Sequence, residues 1–295
     1  MMTFMKTRLF ALITILSAGL LAGCNDLTED LDQGKEKGNG KGTVVVKITD
    51  APFPADMVAE ANVTIDWIKL LKNDGNDNDS LSSVLIELED IMTVNLLTLS
   101  NGVTEILAET DVPAGTYKEI RLHITDAGIM LKDSTVFDLK VPGGDASGLK
   151  IKIKPALEIV EDMTSEVLLD FDVSRSFVLR GNMKHGYDKV VGFIFKPVVR
   201  AVASAVTAEI YGTVTDTTDA IIENALLTLL SGTDTVTTAL TDSIGLYRII
   251  GILPGEYSLT CEKDSFVTQT VTELDVSSGE SIEQNFELAA TEDND

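Results

Sequence analysis

From Thr43 onward the chain alternates apolar and polar residues with a period of two, and most of the apolar ones are β-branched. Helices satisfy that pattern poorly. Successive side chains of a strand point to opposite faces, so a two-residue period puts one face in a core and the other in water. Val, Ile and Thr also suit a pleated, half-buried surface. The segments TVVVKITDAP, ANVTIDWIKLL, SVLIELE, TYKEIRLHITDAG, STVFDLKVP, LKIKIKP, SEVLLDFDVSRSFVL and GFIFKPVVRAV read as strands bounded by turn residues. Their spacing predicts a sandwich rather than βαβ units. Two segments carry a pattern compatible with helix, VNLLTLSNGVTEILAE and FPADMVAE. The first reads equally as two strands joined by a turn at Ser100-Asn101-Gly102.

This first body runs to about Val202. After the Ala-rich SAVTA, a second set of seven short strands extends from Glu209 to Leu288, with turn signals between them. The fold class is therefore all-β: two tandem antiparallel β-sandwich domains over residues 43–202 and 208–289. The polar tail, residues 290–295, is expected to fray. The two bodies share one local device. VPAGTYKEIRL and LPGEYSLT each build a Pro/Gly turn and then open a strand with Tyr. A recurrent edge turn explains the pair more simply than a repeated binding loop.

The first 42 residues follow other rules. Lys6 and Arg8 precede an apolar run, Leu9 to Leu16, which has the length of a signal-peptide core and is short for a membrane span. The run leads to Leu21-Ala22-Gly23-Cys24. This resembles the bacterial lipobox. The resemblance implies that residues 1–23 are a lipoprotein signal peptide and that Cys24 is acylated and becomes the mature N-terminus. Each buried methylene of an acyl chain contributes about 0.8 kcal/mol to membrane anchoring. Residues 24–42 are polar and Gly-rich, with only Leu27 and Leu31 as large apolar residues, and read as a flexible tether. About 18 such residues span roughly 20–25 Å. The implied location is the bacterial envelope, lipid-anchored and at the outer membrane. Cys261 is the second of only two cysteines, so lipidation of Cys24 leaves no intramolecular disulfide. Cys261 shares a strand face with Tyr257 and Leu259 and reads as a small core residue.

Charge narrows the partners. The chain holds 23 basic and 47 acidic residues, a net charge of -24. Phosphate recognition needs clustered Lys and Arg, so nucleic acid is excluded as a partner, and acidic glycans and anionic lipid faces fit poorly. Neutral glycans, proteins and divalent cations fit better.

The second body resembles the carboxypeptidase regulatory-like domain, a transthyretin-like sandwich. The carrying residues are Gly212-Thr213-Val214-Thr215-Asp216, Asn224-Ala225, Thr241-Asp242, Gly245-Leu246-Tyr247 and Leu253-Pro254-Gly255-Glu256-Tyr257. DSFVTQTV departs from that pattern, where a Gly and an aromatic are usual. The resemblance implies a non-catalytic module with a carbohydrate-binding-like fold. The first body carries Thr49-Asp50-Ala51-Pro52, Pro113-Ala114-Gly115-Thr116-Tyr117, Ile120-Arg121-Leu122, Gly148-Leu149-Lys150-Ile151, Leu169-Asp170-Phe171-Asp172, Ser176 and Lys196-Pro197-Val198. On these residues it resembles a bacterial lipoprotein domain of unknown function, number 4382, which implies no activity.

Four stretches could carry chemistry. In LLDFDVSRS read as one strand, Val167, Leu169, Phe171 and Val173 face one way, and Asp170, Asp172 and Ser174 the other. Two residues span roughly 6.6 Å, a spacing compatible with an inverting glycosidase pair. The competing expectation is that both aspartates accept turn amides or pair with Arg175 or Arg121. Calcium is the third reading. KNDGNDNDS offers Asp74, Asp77 and Asp79 as calcium candidates, but an EF-hand loop counted from Asp74 lacks its Gly and Glu. His123 and His185 are the only histidines, without zinc spacing or a nucleophile elbow. Trp67 alternates with Val63 and Ile65 and is expected in the core. Tyr187, Tyr211 and Tyr247 are candidates for a sugar-stacking surface.

The expectation is a non-catalytic, lipid-anchored envelope protein that displays β-sandwich domains to bind or adhere to a glycan or protein. The alternatives are a structural, fimbria-like subunit or accessory component of an outer-membrane complex, and a hydrolase using Asp170 and Asp172. No catalytic residue and no cofactor beyond possible calcium is assigned.

Overall fold

The computed structural model describes residues 40–51, 57–72, 83–142, 147–181 and 186–291. Cys24, Asp74, Asp77, Asp79 and His185 lie outside the described residues. Asn39–Asp295 form one compact unit that contains two apolar cores.

The first core belongs to eleven strands. These are β1 (Lys41–Ala51), β2 (Val58–Leu71), β3 (Ser83–Asn95), β4 (Glu105–Pro113), β5 (Gly115–Leu131), β6 (Val136–Leu139), β7 (Leu149–Ile159), β8 (Thr164–Asp172), β9 (Phe177–Gly181), β10 (Val190–Phe195) and β11 (Val199–Ala203). Nine of them form one sheet in the order β3-β2-β5-β7-β11-β8-β1-β4, with β6 paired to β5. The sheet curls over one core, because Val44, Val46 and Ile48 of β1 pack in the same cluster as Ile65, Ile68 and Leu70 of β2. β9 and β10 form a separate two-stranded ribbon.

The second core lies between two four-stranded sheets. One is β15-β12-β18 with β19 also on β12, built from β12 (Ala208–Asp216), β15 (Leu246–Ile252), β18 (Ser281–Glu283) and β19 (Phe286–Leu288). The other is β14-β13-β16-β17, built from β13 (Leu226–Ser231), β14 (Asp234–Leu240), β16 (Gly255–Glu262) and β17 (Gln269–Val276). Ile210, Val214 and Tyr247 meet Leu227, Leu229, Leu259 and Cys261 between them. Burial pushes the Cys261 thiol up to about 12, with the Glu262 charge adding to it, so Cys261 is an inert core residue.

The all-β, two-body architecture matches the sequence pattern, with three differences, and it decides between the two readings of VNLLTLSNGVTEILAE in favour of strand–turn–strand. Pairing is mixed rather than purely antiparallel: β1–β8, β7–β11, β12–β18 and β12–β19 run parallel. VNLLTLSNGVTEILAE is not a helix. It is the end of β3, a 3₁₀ turn at Leu96–Leu99 capped by Asn95, a turn at Asn101-Gly102, and β4. Val58–Glu60, the end of FPADMVAE, is strand, because Val58 pairs with Leu131 and packs in the core. SEVLLDFDVSRSFVL is two strands, since a single helical turn at Val173–Ser176 separates β8 from β9.

The shared Pro/Gly/Tyr device is the same bond in both bodies. Tyr117 Oη donates to the carbonyl of Pro113 at 2.8 Å, and Tyr257 Oη donates to the carbonyl of Leu253 at 2.8 Å. Each Tyr reaches back four residues and ties its strand to the preceding turn. Burial pushes the Tyr117 hydroxyl up to about 12 and raises that of Tyr257.

Candidate functional site

The acidic pair sits where the two bodies meet. β8 lies between β1 and β11, and every residue from Val167 to Asp172 is buried. Leu169 and Phe171 fill the first core. The opposite face is covered by the second body, whose Gly251 sits against Leu168 and Val202. A Cβ on Gly251 would come within 2.9 Å of Leu168 Cδ2, and its φ is +69°. Only glycine allows this approach without strain.

Burial leaves a carboxylate two outcomes, a partner or a proton. Asp170 has a partner. Arg200 stands directly opposite it in the β8–β11 register. Its Nη2 and Nε donate to Asp170 Oδ2 at 2.6 and 3.2 Å, and its Nη1 donates to the Gly251 carbonyl at 2.7 Å. One planar guanidinium thus joins a carboxylate of the first body to the backbone of the second. Asp172 caps the helical turn that follows it. Its Oδ1 accepts from the Arg175 amide at 2.9 Å and from Ser174 Oγ at 2.7 Å, and its Oδ2 pairs with Arg175 Nε. Arg175 is thus the expected partner, and Arg200 takes the place of Arg121. Arg121 instead pairs with Glu119 at 2.8 Å, both buried. Burial pushes the Glu119 carboxyl up, but hydrogen bonds from Arg121 and Lys152 outweigh it and the net shift is downward.

The third carboxyl, Asp50 on β1, is pushed toward the other outcome. Its Oδ1 accepts from the Val173 amide at 3.3 Å, and its Oδ2 is buried without a hydrogen-bond partner. Burial first, and the neighbouring Asp170 and Asp172 charges with it, hold its pKa well above the usual carboxylate range against the pull of the Val173 amide. The space beside Asp50 and Asp170 is only about 10 Å³ and also holds Thr238, whose Oγ1 has no partner. That is room for about one water molecule. A larger space of about 300 Å³ lies on the other side of Asp170. It is lined by Asp172, Arg175 and Arg200 and by Thr235 to Thr237 of β14.

A glycosidase needs a protonated acid and a free carboxylate facing one substrate-sized cleft. Here the carboxyl that favours its proton faces the small space, and the two that line the larger one are held by arginines. The geometry is that of a joint between domains. Among the described residues, no group of three acidic, His or Cys side chains is arranged to hold a metal ion.

The family model described as "Domain of unknown function (DUF4382)" matches residues 41–191, just over half of the chain. This chain belongs to the DUF4382 family. The model described as "Carboxypeptidase regulatory-like domain" matches residues 209–289, so the second body follows the DUF4382 body in the expected order. No curated protein matches the chain. Solved structures that share a likeness include the Bacillus anthracis TIE protein, at 14% identity and TM-score 0.25 over 85% of this chain and 34% of that one. A mutant of Acinetobacter radioresistens catechol 1,2-dioxygenase matches at 17% identity and TM-score 0.24, over 30% and 53%. GBS52, the minor pilin of Streptococcus agalactiae, matches at 11% identity and TM-score 0.23, over 85% and 98%. The chain thus spans about a third to a half of the first two. Likeness at these scores says nothing about what the DUF4382 chain does.

The aromatic candidates scatter. In the DUF4382 body, Trp67 is not in the core. The β2–β5 register places Ile65 opposite Ile124 and Trp67 opposite His123, so Asp66 is one extra residue, a β-bulge. The bulge reverses the alternation: Ile68 and Leu70 take the core face and Trp67 turns outward. There its ring stacks on His123 with centroids 4.7 Å apart, and Asp66 Oδ1 holds His123 Nδ1 at 2.5 Å. Tyr247 is buried and donates to the Gln284 carbonyl, so it is no sugar platform. Tyr211 is half-buried with Arg248 over its ring, and Tyr187 is exposed on the β9–β10 connection. Asp50 and Arg200 are the joint residues that the sequence did not single out. Asp50 appeared only inside a family motif, and no local signal marks Arg200.

Proposed function

We propose that this chain is a non-catalytic, lipid-anchored envelope protein that presents two joined β bodies for binding or adhesion. The observation that carries the reading is the joint itself. Asp170 and Asp172, the best catalytic candidates in the sequence, are held by Arg200 and Arg175. Asp170 thereby helps hold the second body in place. A joined pair of β bodies on a tether suits presentation of a surface at a distance from the membrane. Cys24 is the anchor, the outer membrane of a bacterial envelope the location, and a neutral glycan or a protein the ligand class. The same joint favours a second reading, a structural subunit, because a joined two-body unit is a suitable repeat.

Metabolic labelling with a palmitate analogue tests the anchor. Wild-type chain should be labelled and cleaved before Cys24, and Cys24→Ser should be neither. Labelling that persists in Cys24→Ser would overturn the anchor. Asp170→Asn tests the role of the acidic pair. It should lower stability and leave ligand capture by the folded fraction unchanged, whereas a glycoside-hydrolysing activity lost in that variant would restore the hydrolase reading.

A further inference from the structure

Charge is unevenly placed in this molecule. No Lys or Arg occurs between Lys72 and Lys118, a stretch that supplies all of β3 and β4. β3 and β4 are also the two ends of the large sheet, and each pairs on one side only. The curl of the sheet brings these ends together without joining them. Between them lies a groove of about 450 Å³. Its apolar lining includes Ile86, Leu88, Met92 and Leu107, and Glu87, Glu89, Asp90 and Glu109 add negative charge. β3 bows here: only Asp66 of β2 separates the partners of Glu87 and Met92, so residues 88–91 have no partner in β2. Large apolar side chains stand exposed on these strands, Leu85 at 53%, Ile91 at 68% and Ile106 at 48%. These side chains stand outside the groove lining, on the two strands that border it, and add exposed apolar surface beside its acidic residues.

The β9–β10 ribbon has the opposite character. Among the described residues between Phe177 and Lys196, the sequence places Arg180, Lys189 and Lys196 against a single acidic residue, Asp188. One ribbon face is anchored, because Phe177, Phe193 and Phe195 pack in the first core. The other carries the cross-strand pair Val178 and Ile194, with exposed Arg180 on the same face. Val191, in a bulge, is 69% exposed, and Val178 and Ile194 are 40% and 42% exposed.

We infer that the basic, apolar ribbon of one copy docks in the acidic, apolar groove between β3 and β4 of a second copy. The two surfaces match in charge and both expose aliphatic side chains, the complementarity that selects a partner and speeds encounter. They come from different strands, so one copy presents both. The contact is therefore head-to-tail, and such contacts generate rings or open filaments. The inference does not depend on lipidation.

Sedimentation velocity on residues 39–295, the compact unit, tests it. The wild-type unit should associate with rising concentration, and added salt should weaken the association. Arg180→Glu with Lys196→Glu should reduce association at least about tenfold, as should Glu89→Lys with Glu109→Lys. Each swapped variant alone loses the opposite charges at its contact, whereas mixing the two pairs an unaltered ribbon with an unaltered groove and should restore association. All four positions are exposed, so unchanged circular dichroism melts would confirm that the variants fold. A wild-type unit that stays monomeric throughout, or a mixture of swapped variants that fails to associate, would overturn the inference. So would association unaffected by either swap. Binding to phosphatidylglycerol vesicles by a monomeric wild-type unit would assign the ribbon to an anionic lipid surface instead and would equally overturn it.

Discussion

Asp50 is the residue whose behaviour is most exposed to experiment. A carboxyl with a raised folded pKa keeps its proton in the folded state after the unfolded chain has released its own. The stability this proton contributes is complete below the unfolded value of about 3.9 and is lost as pH rises through the folded value. Asp50→Asn should therefore flatten the fall of stability above pH ~4 and raise the neutral-pH melting temperature by about 2–5 °C. Melts that keep the wild-type pH slope would rule this out. Glu119 has the opposite sign. Its folded pKa is lowered, so its contribution is present above the unfolded value and lost as pH falls through the folded one. Arg200 carries more. Arg200→Met strips a buried carboxylate of its charge partner and the Gly251 carbonyl of its donor. Breaking such a pair costs about 3–5 kcal/mol. Adding Asp170→Asn should recover part of that loss in urea titrations. A double variant no more stable than Arg200→Met would argue against this pairing.

At the scale of elements, the two tyrosine-tied turns rest on the same bond. Tyr117→Phe and Tyr257→Phe each remove one hydroxyl bond to a carbonyl four residues back. Each should cost about 0.5–1.5 kcal/mol by equilibrium unfolding. A cost near zero at both would mean that the turns hold without the bond. This device was legible because all its parts are local: Pro or Gly sets the turn and Tyr follows within four residues. Trp67 shows the limit of the same logic. The alternation through Val63 and Ile65 extrapolates Trp67 into the core, and one bulged residue at Asp66 reverses it. A bulge is chosen by the fit of β2 to β5, and no residue type near Asp66 announces it. The break of β8 from β9 was missed for a related reason. Val173 continues the apolar alternation of Val167, Leu169 and Phe171, and the Asp172 cap turns Val173–Ser176 into a helical turn.

At the scale of the molecule, the two bodies are tied by Arg200, by the close seat of Gly251 on Leu168 and by a short connection. Only a 3₁₀ turn at Ser204–Val206 and Thr207 separate β11 from β12. Residues 39–295 should accordingly unfold in one calorimetric transition, and Arg200→Met should split it into two as the domains uncouple. A wild-type unit that already melts in two steps would show that the joint does not couple the bodies.

The period of two, and with it an all-β chain in two bodies, a core Cys261 and the repeated Tyr turn, can be read from the chain alone. These rest on neighbours within a few residues, where side-chain alternation and turn chemistry act directly. The tertiary structure decided which face Trp67 takes, which arginine holds Asp170, and that Asp50 is buried beside it. The partners involved lie 30 positions apart for Asp170 and Arg200, and 123 apart for Asp50 and Val173. Across such separations an aspartate's surroundings are set by which strands the sheet brings side by side. Its protonation and its role follow from that placement, and the residue type alone does not carry them.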